Sequence, residues 1–378
     1  MTSDPQPAAL NQLPADVHCA RDYESLARRH IAGPTYEYLA GGSGEAITAT
    51  ENLAAFARRS ICPRLLRDVT GGTTRLELAG CSWPHPILLA PVAFQTLVHP
   101  RGELASARGA AAMDTCFIAS TLSSYSLEQI AASSGREKWF QLYFQPRRED
   151  TLDLVRRART AGYAAIVVTL DAALQVPGFS ALRAGFRMPA DCVAANLRDC
   201  AQPSQGEAPP GQSRVFQDLM RAAPTWEDLA WLQGQTELPI WVKGVLHPGD
   251  AVRLRDLGIA GLVISNHGGR TLDHAPASLT ALPAIRDAVG PEMPLLLDSG
   301  IRSGADVFKA LAMGADAVLV GRLQVYALGV AGALGVAHML RLLREELEVC
   351  MAMTGCAALA EIRSGGLALV PEREATRC

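Results

Sequence analysis

From Pro86 onward one unit recurs eight times: a short, apolar, β-rich run ends in polar or glycine residues, and an amphipathic helical stretch follows. The runs are Ile87–Ala90, Cys116–Ala119, Trp139–Leu142, Ala165–Leu170, Ile240–Val242, Gly261–Ile264, Leu295–Leu297 and Ala317–Val320. Strands alternating with helices imply parallel pairing through right-handed crossovers. Eight such units predict an α/β chain closed into a (β/α)8 TIM barrel, although a doubly wound open sheet gives similar local signals. Helical stretches at Gly102–Met113, Ser126–Ser133, Asp150–Ala161, Pro248–Leu257, Ala277–Val289 and Gly304–Met313 carry apolar residues at three- and four-residue spacing. Asp150, Asp250 and Asp306 lie near helix starts, where an acid suits the helix dipole. Residues 20–60 predict N-terminal helices ahead of the barrel, broken at Gly41, Gly42 and Gly44. The whole of 1–378 reads as one barrel domain.

The connection after the fourth run is abnormal. Loop 4, about 172–225, is rich in Pro, Gly, Gln and Ser, most densely over Gln202–Ser213. A loop of that length in a compact fold is usually a lid or a disordered segment, and here it follows a strand end. The apolar run Val325–Ala337 is too short to span a bilayer and is interrupted by glycines, so it predicts a buried helix.

Composition narrows the function classes. With 49% hydrophobic and 19% charged residues, the chain has the balance of a soluble protein with a large core. A net charge of -3 gives no electrostatic case for nucleic acid or for an anionic membrane surface. Nine cysteines are scattered without a Cys-x-x-Cys pair, and eight histidines without a His-x-x-x-His spacing. No disulfide framework and no metal site are expected, and a reducing cytoplasm fits. Met1–Val17 has neither a basic start nor an apolar stretch, so no secretory signal is expected.

The polar residues sit where a barrel builds its chemistry. Seven of the eight runs, all but the first, end in groups suited to a ligand. These are Ser120 and Thr121, Gln141 and Tyr143, Thr169 and Asp171, Lys243, Ser265–Arg270, Asp298-Ser299-Gly300, and Gly321-Arg322. The last two sets resemble a phosphate site. Glycines let backbone N–H groups approach an anion, and Arg302 and Arg322 add charged donors. His267 and Arg270 share one short glycine-bearing loop. The arginine can hold a carboxylate through two bonds while the histidine takes a proton, and Asp171 can orient the imidazole.

Ser265-Asn266-His267-Gly268-Gly269-Arg270 followed by Leu272-Asp273, Lys243-Gly244, and Gln141-Leu142-Tyr143 resemble the FMN-dependent 2-hydroxy acid oxidase and dehydrogenase family. That family includes glycolate oxidase, lactate oxidase, mandelate dehydrogenase and flavocytochrome b2. The resemblance runs from about Tyr23 to Ile362. It implies FMN as cofactor, a 2-hydroxy acid oxidised to a 2-oxo acid, and O2 as acceptor giving H2O2. It also implies a homotetramer or octamer. By the same resemblance His267 accepts the hydroxyl proton and Asp171 is its partner, while Arg270 holds the carboxylate with Tyr38 and Tyr143. Lys243 stands near flavin N1 and C2=O, and the backbone at Val92 and Ala93 lies against N5. Ser120, Gln141 and Thr169 bond the ring edge. Ser265, Asp298, Ser299, Gly300, Arg302, Gly321 and Arg322 carry the ribityl chain and phosphate.

The chain departs from the family pattern in places. After Asp171 the family carries a Gly-Arg-Arg-like run, whereas here Gly178 falls where an active-site arginine aligns, leaving Arg183 as the nearest replacement. Asp298-Ser299-Gly300 stands for Asp-Gly-Gly, and Gly321-Arg322-Leu323 for Gly-Arg-Pro. Leu122 stands where glycolate oxidase-like members have tryptophan, and Thr121–Glu128 looks closest to bacterial mandelate- or hydroxymandelate-oxidising members. A roomier pocket and a mandelate-like substrate are therefore expected. Three alternatives remain: a dehydrogenase of the same family passing electrons to a quinone or cytochrome, an FMN-containing barrel isomerase, and a flavin binder without turnover.

Overall fold

The computed structural model describes residues 9–174, 176, 178–201, 211–217, 219–364 and 370–371. Eight parallel strands close a barrel in chain order: β1 Ile87–Leu89, β2 Phe117–Ser120, β3 Lys138–Leu142, β4 Ala165–Thr169, β5 Ile240–Val245, β6 Gly261–Ile264, β7 Leu295–Asp298 and β8 Ala317–Val320. β8 pairs with β1 through Val320 and Leu89, which shuts the ring. A closed ring excludes the open-sheet alternative.

Alternation along each strand decides what faces inward. Ile87, Leu89, Phe140, Leu142, Ile166 and Val168 pack outward against the helices. Leu88, Ile118, Trp139, Val167, Trp241, Val263 and Leu296 form a second core inside the barrel. The floor is sealed by the hairpin Leu76–Leu78 and Cys81–Trp83, whose Trp83 meets Trp139 edge-on at 6.1 Å between ring centroids. Two residues beyond the interior apolar positions come Ser120, Gln141, Thr169, Lys243, Ser265 and Asp298, all buried. Six of the eight strands, β2 to β7, thus have an apolar lower stripe and a polar upper end on the same face.

The expected helices form with ends shifted by one or two residues: Gly102–Ala111, Leu127–Ser133, Arg148–Thr160, Pro248–Asp256, Ser278–Val289 and Gly304–Ala312. Asp306 completes a capping box with Ser303, and Asp150 sits in a first turn paired with Arg147 at 2.8 Å. Val325–Ala337 belongs to a much longer helix, Arg322–Thr354, broken from helical geometry at Ala331 and Gly332. That helix is apolar enough to cross a membrane, yet 78% of its most apolar window is buried.

Among the described residues, three helices precede the barrel, at Asp22–His30, Gly33–Ala40 and Ile47–Ala57. They are fastened to the barrel mouth. Asn52 and Asn266 exchange side-chain amide bonds of 2.9 and 2.7 Å, and Asp273 accepts the backbone N–H groups of Thr48 and Glu45. Loop 4 contains the short helix Phe179–Arg183 and a bridge pairing Gly178 with Gly44. Asn196 pins it to β2, donating to the carbonyls of Ser120 and Thr121 and accepting from Leu127 N–H. The densest polar part of that loop, 202–210, lies outside the described residues, as do Gln175 and Pro177 of the altered segment.

Candidate active site

The barrel mouth holds a cavity of ≈ 450 Å3. Its wall includes Tyr38, Val92, Ala93, Ser120, Leu122, Gln141, Tyr143, Thr169, Lys243, His267 and Arg270, with Asp298, Ser299, Gly300, Arg302, Gly321 and Arg322 toward the β7–β8 side. Two expected residues are not in that wall. Asp171 stands behind His267 and Ser265 behind Lys243, each acting on the cavity through the neighbour in front.

The His267–Asp171 pair is fully formed, with Nδ1 2.8 Å from Oδ1. Burial by itself would raise the Asp171 carboxyl, but the charges of His267 and Lys243 and the imidazole bond hold it below the usual carboxylate value. The pair also explains Gly244. A Cβ there would lie 2.5 Å from the Asp171 Cβ, and the backbone φ of +108° is one that side-chain-bearing residues rarely adopt. Glycine at the end of β5 is what allows the acid to sit beside Lys243.

Lys243 is an almost wholly buried ammonium, 3.1 Å from Asp298 Oδ2 and 2.9 Å from Ser265 Oγ. Burial disfavours its charge, yet Asp298 and Asp171 raise its pKa above the ordinary lysine value. Ser265 Oγ in turn donates to Asp298 at 2.6 Å and accepts the His267 N–H at 3.0 Å. The lysine is therefore a fixed, paired positive charge in the cavity wall.

Arg270 reaches the mouth from the same turn. One nitrogen, Nη1, bonds the Tyr38 carbonyl at 2.7 Å, and the guanidinium carbon lies 4.8 Å from the centre of the Tyr38 ring. Burial pushes the Tyr143 phenol well above its ordinary pKa, with the Asp171 charge adding to the shift, so it stays a proton donor. A guanidinium and a neutral phenol facing one cavity suit a carboxylate.

The expected phosphate arginines are differently engaged from two free donors. Arg302 is 3.0 Å from Glu24 through Nε. Arg322 donates to the carbonyls of Leu39, Gly268 and Gly41 at 3.0, 2.8 and 2.6 Å. Burial, then the nearby Arg270 charge, lowers Arg322 to about 10, still cationic at neutral pH. Both line the cavity, but much of their donor capacity goes to holding the N-terminal helices on the barrel. Arg183 does not replace the missing arginine, since it pairs with Glu45 at 3.1 Å on the surface. Position 178 has no room for one: a Cβ on Gly178 would sit 2.3 Å from the Gly42 carbonyl oxygen.

Some wall residues escaped the sequence reading. Phe186 of loop 4 stacks on Tyr38 with centroids 4.2 Å apart, and an irregular loop gives no periodic signal for it. Tyr326, whose buried hydroxyl has no partner among the described residues, lies one helical turn after Arg322. Its four-residue spacing from that arginine was the available clue.

The matching family model is the FMN-dependent dehydrogenase, over residues 27–369. The chain belongs to the FMN-dependent 2-hydroxy acid oxidase and dehydrogenase family. It is 60% identical to an L-lactate oxidase of Alicycliphilus denitrificans over 93% of this chain and 96% of that one. It is 43% identical to a 4-hydroxymandelate oxidase of Amycolatopsis orientalis, over 90% and 96% respectively. A crystal structure of a mandelate oxidase with (S)-2-phenylpropionate superposes with a TM-score of 0.83 at 41% identity, covering 92% of this chain and 97% of that one. The cofactor of this family member is FMN, and the wall fits it. Gln141 Oε1 is occupied by Ser120 Oγ and Thr121 N–H, and among the described residues its buried Nε2 has no partner, nor has Thr169 Oγ1. Unpaired buried donors are costly, and a ring edge carrying carbonyl and nitrogen acceptors satisfies them.

Proposed function

We propose that this enzyme oxidises a short L-2-hydroxy acid of the lactate type to the 2-oxo acid, with O2 as electron acceptor and H2O2 as product. The observation that carries the reaction is the His267–Asp171 pair opening onto the same cavity as Arg270. In this reading Arg270 and the protonated Tyr143 bind the substrate carboxylate, with Tyr38 beside them. His267 accepts the hydroxyl proton, and Asp171 holds the ring in the required tautomer and stabilises its cation. Ser120, Gln141, Thr169 and Lys243 would hold the flavin ring, with Val92 and Ala93 against it. Asp298–Gly300, Arg302, Gly321 and Arg322 would hold the ribityl chain and phosphate, with Ser265 behind them fixing Lys243 and Asp298. Bound FMN would supply the two-electron acceptor, and Lys243 would place a fixed positive charge beside it. O2 then takes two electrons and two protons, which balances the reaction.

Lactate replaces the mandelate-like substrate expected from sequence because a lactate oxidase relative at 60% identity outweighs a hydroxymandelate relative at 43%. The aryl reading keeps specific support from Leu122, Val176, Leu182, Phe186 and Met188, an apolar group lining the cavity. Anaerobic flavin reduction by L-lactate, glycolate, mandelate and 4-hydroxymandelate, followed by readmission of O2, tests both. The expected result is L-lactate ahead of mandelate by about tenfold or more in kcat/KM, with rapid reoxidation by O2. Preference for an aryl acid overturns the substrate, and failure of O2 to reoxidise the flavin overturns the acceptor.

A further inference from the structure

Ser299 occupies a backbone conformation that serine has no intrinsic reason to occupy. Its φ is +86°, in the left-handed region where a side chain is strained and glycine is not. What the side chain gains is a contact with the loop after the adjacent strand: Ser299 Oγ accepts the Gly268 N–H at 2.9 Å. The turn it meets is itself left-handed at three successive residues, His267 at φ +58°, Gly268 at +66° and Gly269 at +74°.

Three consecutive N–H groups of that turn are each held by a side-chain oxygen. Ser265 Oγ takes His267 N–H at 3.0 Å, Ser299 Oγ takes Gly268 N–H, and Asn266 Oδ1 takes Gly269 N–H at 3.1 Å. Ser265 and Asn266 belong to the turn's own segment. Ser299 comes from the end of β7 and ties the turn to a neighbouring strand. Arg322 and Ser43 bind the turn's carbonyls from other directions. The Ser299 hydroxyl proton has no acceptor among the described residues, and the residue lines the cavity on the side proposed for the cofactor.

We propose that Ser299 is a positioning residue: its hydroxyl clamps the Gly268 N–H and so fixes the His267 imidazole, while its own proton stays free for the cofactor side of the cavity. The clamp rests on the function proposed for His267, and links cofactor binding to the placement of the proton acceptor. Ser299→Ala keeps the Cβ and removes the hydroxyl, whereas Ser299→Gly also relieves the strain. In the holoenzyme, hydrogen exchange read by mass spectrometry on a peptide spanning 265–271 should be faster in both variants. Flavin reduction at saturating substrate should fall roughly 10- to 100-fold, the range for a slightly misplaced catalytic group. The dissociation constant for a non-reactive carboxylate such as oxalate should change much less, because Arg270 is untouched.

Wild-type exchange and wild-type reduction in Ser299→Ala overturn the clamp. A loss confined to Ser299→Gly also overturns it, because added backbone freedom then accounts for the effect. If no 2-hydroxy acid reduces the wild-type flavin, the proposed function fails, and the exchange comparison still decides the clamp. Should Ser299→Ala fail to fold, the Ser299→Gly exchange and reduction rates decide it alone, with unchanged values overturning it.

Discussion

His267 and Arg270 lie three residues apart on one turn yet have separable tasks, and substitution should separate them. His267→Ala removes the proton acceptor and leaves the flavin contacts. Flavin content should be retained while substrate-driven reduction falls about 10²- to 10⁴-fold, measured by stopped-flow absorbance. Arg270→Lys should mainly weaken binding of the acid and of oxalate, since an ammonium cannot reproduce a planar two-bond contact. Asp171 carries a pH prediction. Its folded pKa lies below the usual carboxylate value, so its stabilising effect is present above that value and is lost as pH falls through the folded one. Asp171→Asn should therefore lose stability at neutral pH and show a shallower decline in acid. Equal acid sensitivity of the two proteins in denaturant titrations from pH 7 to pH 3 would show that the pair contributes nothing.

At the scale of elements, the eight strands and most of the site were legible because both follow one rule of alternation. Trp139 and Gln141, Val167 and Thr169, and Val263 and Ser265 are each two residues apart, so each pair shares the barrel interior. Loop 4 follows no such rule, and its contribution to the wall through Phe186 depends on stacking with Tyr38 across a long sequence separation. Likewise, the pairing of Arg302 with Glu24 depends on how the N-terminal helices dock, which no local pattern encodes. Gly178 was legible as a lost arginine but not as a closed position, because the obstacle is the backbone of Gly42. Gly178→Arg should therefore not restore a substrate contact. It should destabilise the protein by about 1–3 kcal/mol through overpacking, visible as a lower Tm, and weaken rather than tighten oxalate binding. Tighter oxalate binding with an unchanged Tm would mean that loop 4 moves aside easily.

For the whole molecule, the cavity lies between two bodies of structure that touch the same groups. The N-terminal helices meet the barrel through Glu24, the carbonyls of Leu39 and Gly41, and the Asn52–Asn266 exchange, all beside residues proposed to hold the cofactor. Removing FMN should leave the buried Gln141 and Thr169 donors unpaired and leave Arg322, which is bonded only to carbonyls, without an anion to offset its charge. Unfolding should thus couple to cofactor occupancy. At a free FMN concentration about 100 times its dissociation constant, the linkage is worth roughly 2.7 kcal/mol, so the apoprotein should melt measurably below the holoenzyme and recover on adding FMN. Tyr326 permits a finer test, because its hydroxyl, which has no hydrogen-bond partner among the described residues, sits near Arg302 and Arg322. Tyr326→Phe should leave the apoprotein Tm nearly unchanged and narrow the gap between apo and holo forms. An equal fall in both forms would instead make that hydroxyl a packing feature of the long helix, with no part in holding the cofactor.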